Sequence, residues 1–155
     1  MAKTNEFEIY VEIAAAGGAA NTTLDMTDYV DVADNEAFEI HAVDIVLDPT
    51  EALPGATEAI FQLADSNIQN FVSHSDRTSL YVARNTYDSA TVGMYQETSF
   101  SDITPLIVNK TLFCRSELNG LAGALDFTLR MKGKIVKPSA KDYMALVLTQ
   151  TGNLA

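Results

Sequence analysis

Along most of the chain the apolar residues recur at every second position, the period of a strand with one face buried and the other wet. In residues 6–13, Phe7, Ile9, Val11 and Ile13 fall on one side, and Glu6, Glu8, Tyr10 and Glu12 fall on the other. This predicts a half-buried first strand with an acidic outer stripe. The glycine pair in "AAAGGAAN" breaks the pattern and predicts a flexible turn. "TLDMTDYVDVAD" predicts a short strand within an acidic loop. In residues 37–48, Phe38, Ile40, Ala42 and Val46 share one face and Glu39 and His41 the other. Asp48-Pro49 ends that strand, because proline lacks a ladder donor and restrains the residue before it.

A Pro-Gly turn at residues 54–55 leads to shorter strands over "AIFQLADS", "NFVSHS", "SLYVARNTY" and "ATVGMYQETSF", separated by Ser, Asn and Asp clusters. "PLIVNKTLFCRSEL" predicts one longer strand, partly buried on both faces, and Asn119-Gly120 after it is the strongest short hairpin signal in the chain. In the next stretch Leu125, Phe127, Leu129, Met131 and Ile135 alternate with Asp126, Thr128, Arg130, Lys132 and Lys134. Beyond Pro138 the period changes. Ser139 and Asp142 have the spacing of a helix-capping box, and Ala140, Tyr143, Met144, Val147 and Leu148 recur at helical spacing up to Gly152. The pattern is that of one all-β domain over residues 1–155, with about eight strands, a short C-terminal helix and loose termini near residues 1–5 and 150–155.

Composition narrows the picture further. The 155 residues are 47% apolar and 20% charged, which is globular composition. No stretch is long and apolar enough to predict a membrane span or a secretory signal, so a cytoplasmic site of synthesis is expected. The single cysteine, Cys114, excludes an internal disulfide and a Cys-rich zinc site, and its apolar neighbours point to an inert core thiol. The net charge of −11 is unevenly spread. Residues 1–70 hold 14 acids and one base, and residues 71–155 hold 7 acids and 9 bases. Such a chain is a poor candidate for broad nucleic-acid binding, and its self-repulsion favours solubility or service in high salt.

The chain carries little that predicts chemistry. His41 and His74 are the only histidines. His74 lies in "SHSDRTS", where Ser and Asp neighbours read as turn formers and not as a catalytic triad. No nucleotide-binding glycine loop, zinc motif or calcium-loop motif occurs, so no catalytic, cofactor-binding or metal-ligating residue is assigned. Asp25, Asp28, Asp31 and Asp34, with Glu36, could supply calcium oxygens, but a solvated acidic loop is the expectation. Asn21 and Asn109 begin glycosylation-type triplets that carry almost no weight without a signal peptide.

Against the acidic background, Arg130, Lys132, Lys134 and Lys137 are gathered into eight residues. No aromatic residues interleave with them for base stacking, so a nucleic-acid grip is not expected. Glu6, Glu8, Glu12 and Glu39 offer a matching acidic stripe, and opposite charges on paired strands favour one register over others. Internal neutralisation therefore requires the last long strand to lie beside the first, and between the first and the strand at 37–48. A jelly roll has that order.

The strand "EAFEIHAVDIVLDP" and the strand-then-helix ending "LRMKGKIVKPSAKDYMALV" resemble small single-jelly-roll capsid proteins of icosahedral DNA viruses that infect archaea and related bacteria. The resemblance covers most of the chain in pattern and rests on no diagnostic motif. It implies an antiparallel single jelly-roll sandwich and a non-enzymatic, structural role, with copies of the chain tiling a shell in the virion, alone or beside other capsid proteins. It supplies no cofactor and no active site. Many capsid proteins carry a basic arm for the genome, and this chain has none. The alternative is a virion decoration protein or a carbohydrate-binding sandwich. Such a module would need an aromatic platform, and without tryptophan this falls to tyrosines such as Tyr81, Tyr87 and Tyr95.

Overall fold

Residues 7–16 and 124–136 alternate so regularly that each makes a one-faced strand, and these two strands pair with one another. The fold is seen in a computed structural model that describes residues 3–16, 18–47, 57–73, 76, 78–88, 93–100, 106–108, 110–120 and 124–152. In chain order the strands are β1 (Phe7–Ala16), β2 (Gly18–Asp25), β3 (Ala37–Leu47), β4 (Thr57–Ala64), β5 (Ser79–Asp88), β6 (Gly93–Phe100), β7 (Leu106–Val108), β8 (Thr111–Gly120) and β9 (Ala124–Val136). One α-helix among the described residues, α1 (Ala140–Gly152), follows. Four strands form one antiparallel sheet in the order β1-β9-β3-β7, and five form a second in the order β2-β8-β4-β5-β6. The first strand lies beside the last, and the last lies between the first and the third, as the charge match requires. The result is a jelly-roll-like β-sandwich.

The core fills the space between the sheets. Ile9 and Ile13 of β1 and Phe127, Leu129 and Met131 of β9 face Phe61 and Leu63 of β4 and Leu112, Cys114 and Leu118 of β8. Phe61 and Phe127 meet edge to face, with ring centroids 4.6 Å apart, which ties one sheet to the other. Met26 and Val30, from the segment between β2 and β3, are buried in the same core.

Several expectations from sequence are corrected. The flexible turn expected over residues 14–21 is mostly strand, since β2 begins at Gly18, whose φ of 93° only glycine adopts readily. The acidic segment forms two 3-10 turns, at Met26–Asp28 and Val32–Asp34, because aspartate side chains bond the backbone in place of a strand neighbour. Residues 70–73 of "NFVSHS" form no strand. Gln62 holds this loop over the sheet, its amide donating to the Val72 carbonyl (2.8 Å) and accepting from the Val72 N–H (2.8 Å). The run from 105 to 118 divides into β7 and β8, which belong to different sheets. Asn119-Gly120 makes no hairpin. Both residues pair with β4, and the chain then crosses to the other sheet to begin β9.

The clearest correction lies in β3. Phe38 and Ile40 face the core as expected, but a bulge at His41 shifts the pairing with β9 so that Ile40 opposes Gly133 and Ala42 opposes Lys132. One extra residue reverses the faces that follow it. Val43 and Ile45 therefore turn inward, while Ala42 and Val46 are exposed. Strict alternation would have buried Asp44. The bulge places it outside.

Candidate interaction surface

The outer face of the four-stranded sheet carries the charges that the sequence singled out. Arg130, Lys132 and Lys134 project from it along β9, with acids on both sides. Arg130 donates to Asp44 on β3 at 2.9 Å, Lys132 lies 2.9 Å from Glu6 before β1, and Lys134 lies 3.5 Å from Glu39 on β3. Lys137 reaches Asp34 at 2.5 Å. The basic stripe is thus neutralised within the fold. Two expected partners differ. Glu12 opposes Thr128, and Glu8 opposes Lys132 in register but accepts the Tyr10 hydroxyl. Asp44 was missed as a partner because only the bulge turns it outward.

His41, the bulged residue, sits between two carboxylates. Its Nδ1 lies 2.5 Å from Glu6 and its Nε2 lies 2.6 Å from Glu39. Bonding to Glu6 and then to Glu39 raises the imidazole pKa. Glu6 is held below the usual carboxylate range by His41 and Lys132, and Glu39 by His41 and Lys134. The surface therefore alternates in sign: Lys132, Glu6, His41, Glu39, Lys134. Exposed pairs of this kind fix register more than they add stability.

The acidic loop is committed elsewhere. Asp25 accepts from the N–H and hydroxyl of Thr27, and Asp31 accepts from the N–H groups of Ala33 and Asp34. Asp34 pairs with Lys3 and Lys137. Glu36, buried at 5% exposure, takes the Asp31 N–H and the Lys3 ammonium. Among the described residues no three of the His, Cys, Asp and Glu side chains are gathered to hold a metal ion. Lys3 also donates its backbone N–H to Ile135, and Thr4 accepts from the Ile135 N–H. The chain ahead of β1 is thereby stitched to β9.

Among the described residues, the remaining candidates form no reactive centre. Cys114 is buried, and desolvation pushes its thiol pKa up to about 12. Tyr81 is buried at 2% exposure and offers no carbohydrate platform. His74, Asn109 and the side chains of Tyr87 and Tyr95 lie outside the described residues. Helix α1 starts as its sequence predicts: Ser139 accepts the Asp142 N–H at 3.2 Å and donates its hydroxyl to the Asp142 carboxylate at 2.6 Å. Of its expected apolar face, Tyr143 is buried and donates to the Val32 carbonyl, while Met144 and Leu148 are exposed. No described helix is long and apolar enough to cross a membrane. Compared with known proteins, the chain matches no family model and no curated protein.

Proposed function

We propose that this protein is a structural subunit of a virion shell, assembling with copies of itself and carrying out no catalysis. The strand order carries the proposal. β1-β9-β3-β7 packed on β2-β8-β4-β5-β6 is the double Greek key of a jelly roll, an architecture used repeatedly by shell-forming proteins. Fold alone permits other roles. The outer charges of the four-stranded sheet favour a scaffold, because they are paired with each other and hold the register of the sheet. A nucleic-acid grip is not part of the proposal, since the cations on β9 already have acidic partners.

The test is particle mass by light scattering, across protein concentration and from low to molar salt. A shell subunit gives capsomers, lattices or closed particles, and gives more of them as salt screens the net charge of −11. A monomer that persists at high concentration in every salt overturns the proposal and favours a decoration or glycan-binding module.

A further inference from the structure

Sheet edges are where one β protein pairs with another, and among the described residues this fold has four. β1 and β7 bound one sheet, and β2 and β6 bound the other. Natural proteins guard such edges with charge, proline, bulges or short length. Three of the four are guarded. β1 carries Glu8 and Glu12, β6 carries Glu97 in its middle, and β7 has only three residues. β2 is different. From Gly18 to Leu24 it reads GAANTTL, with no charge and no proline, and its pairing with β8 runs from Gly18 to Asp25 without a register shift. Its other edge is unpaired among the described residues.

Building on the shell role proposed above, we infer that the free edge of β2 is the contact through which a second copy of this chain docks, strand against strand, about a twofold axis. Such an interface must be self-complementary, and β2 is. Centred on Asn21, an antiparallel pair sets Ala20 against Thr22, Ala19 against Thr23 and Gly18 against Leu24, each opposed pair sharing a face of the sheet. Asp25 stays beyond the pairing at both ends, so no like charges oppose. The small side chains let the two backbones approach, and threonine suits a pleated surface. The same operation on β1, centred on Tyr10, would set Glu8 against Glu12 twice. Two copies that each carry −11 repel one another, and a neutral edge is where that repulsion is least focused. Pairing there joins the two five-stranded sheets into one continuous sheet across the dimer.

The experiment uses the full chain with two sets of substitutions. Asn21→Cys places a thiol on the twofold, where directly opposed Cα atoms of an antiparallel pair are about 4.5–5.5 Å apart, within disulfide reach. Mild oxidation should give a covalent dimer, whereas Met144→Cys, an exposed site on α1, should give far less. Buried Cys114 contributes to neither. Ala19→Lys with Thr23→Lys sets lysine against lysine at two places. It should weaken association on the order of tenfold while the unfolding temperature of the dilute protein holds. Association of the unsubstituted chain should tighten from low to molar salt.

Cross-linking through Asn21→Cys no greater than through Met144→Cys, or self-association unmoved by the lysine pair, overturns this inference. If large particles still form in that case, the shell role stands and its contacts lie elsewhere. Dimers that are lysine-sensitive but never grow larger sustain the edge contact and remove the shell role. A monomer in every condition removes both.

Discussion

Replacing Gly133 with alanine tests the bulge that organises the outer face. Gly133 lies in β9 opposite Phe7 of β1 and Ile40 of β3, beside the extra residue His41. A Cβ here would overlap the Glu39 carbonyl oxygen and lie 2.7 and 2.9 Å from Cζ and Cε1 of Phe38. Carbon atoms pack comfortably at about 3.5–4.0 Å. Neither neighbour can yield cheaply. The oxygen belongs to backbone held by the β3–β9 pairing. The Phe38 ring is fully buried and packs edge to face with Phe7, with centroids 5.5 Å apart. Overpacking of this kind costs about 1–3 kcal/mol, and parting the strands forfeits roughly another 0.5–1.5 kcal/mol of hydrogen bonding. Relief of glycine's backbone entropy returns about 0.5–1 kcal/mol. The net expectation is a loss of about 1–3 kcal/mol. For a chain of this size that lowers the melting temperature by roughly 3–10 °C. Circular dichroism melts at fixed salt and protein concentration measure it. Adding Phe38→Leu should make the two losses less than additive, because the smaller side chain leaves room for the methyl group. A Gly133→Ala protein as stable as the parent, or more so, would show that the strands do not approach as described.

The remaining predictions concern the charges and the thiol. Reversing Arg130 and Lys132 to glutamate sets like charges against Asp44, Glu6 and Glu8, and should lower the melting temperature at low salt by an amount that shrinks in molar salt; no loss, or a gain, removes internal pairing and revives an external partner. The raised pKa of His41 makes its contribution fully present below its ordinary value of 6.5 and lost as pH climbs through the raised value. The depressed carboxyls of Glu6 and Glu39 work in the opposite sense, contributing above their ordinary 4.5 and losing that contribution as pH falls through the lowered values. Melting temperature should therefore be highest between about pH 4.5 and 6.5 and fall on the alkaline side, with His41→Gln flattening that alkaline fall; identical alkaline slopes would refute the role given to His41. Cys114 should resist a thiol reagent in the folded protein at pH 8 and react at once in denaturant; rapid labelling of the native chain contradicts its burial.

What the sequence determined alone was local. The alternation in β1 and β9, the break at Pro138 and the Ser139 cap depend on neighbours within a few residues, and periodicity reports such relations directly. The charge stripes went one step further, since complementary faces on distant strands imply adjacency, and β9 does lie between β1 and β3. Tertiary structure decided the rest. Gly18–Asn21 read in sequence as part of a flexible turn and become strand because β8 supplies hydrogen-bond partners along one edge. Asn119-Gly120 has the chemistry of a hairpin turn, yet the strands around it find their partners in opposite sheets, and the local preference yields. The acid-rich loop reads in sequence as solvated, but Lys3 and Lys137 reach Asp34 from outside it, while its own Asp31, Ala33 and Asp34 N–H groups bond to Glu36 and Asp31. The bulge at His41 leaves only an ambiguous mark on the alternation of β3, an acid at position 44 where strict alternation would bury it, and the pairing with β9 is what identifies the inserted residue. The bulge lies beside Gly133, whose missing side chain leaves room for the Glu39 carbonyl and the Phe38 ring, and it places Asp44 on the outer face as the partner of Arg130. Which face a residue occupies after such an insertion is set by the partner strand, and a single chain read in order does not contain that partner's register.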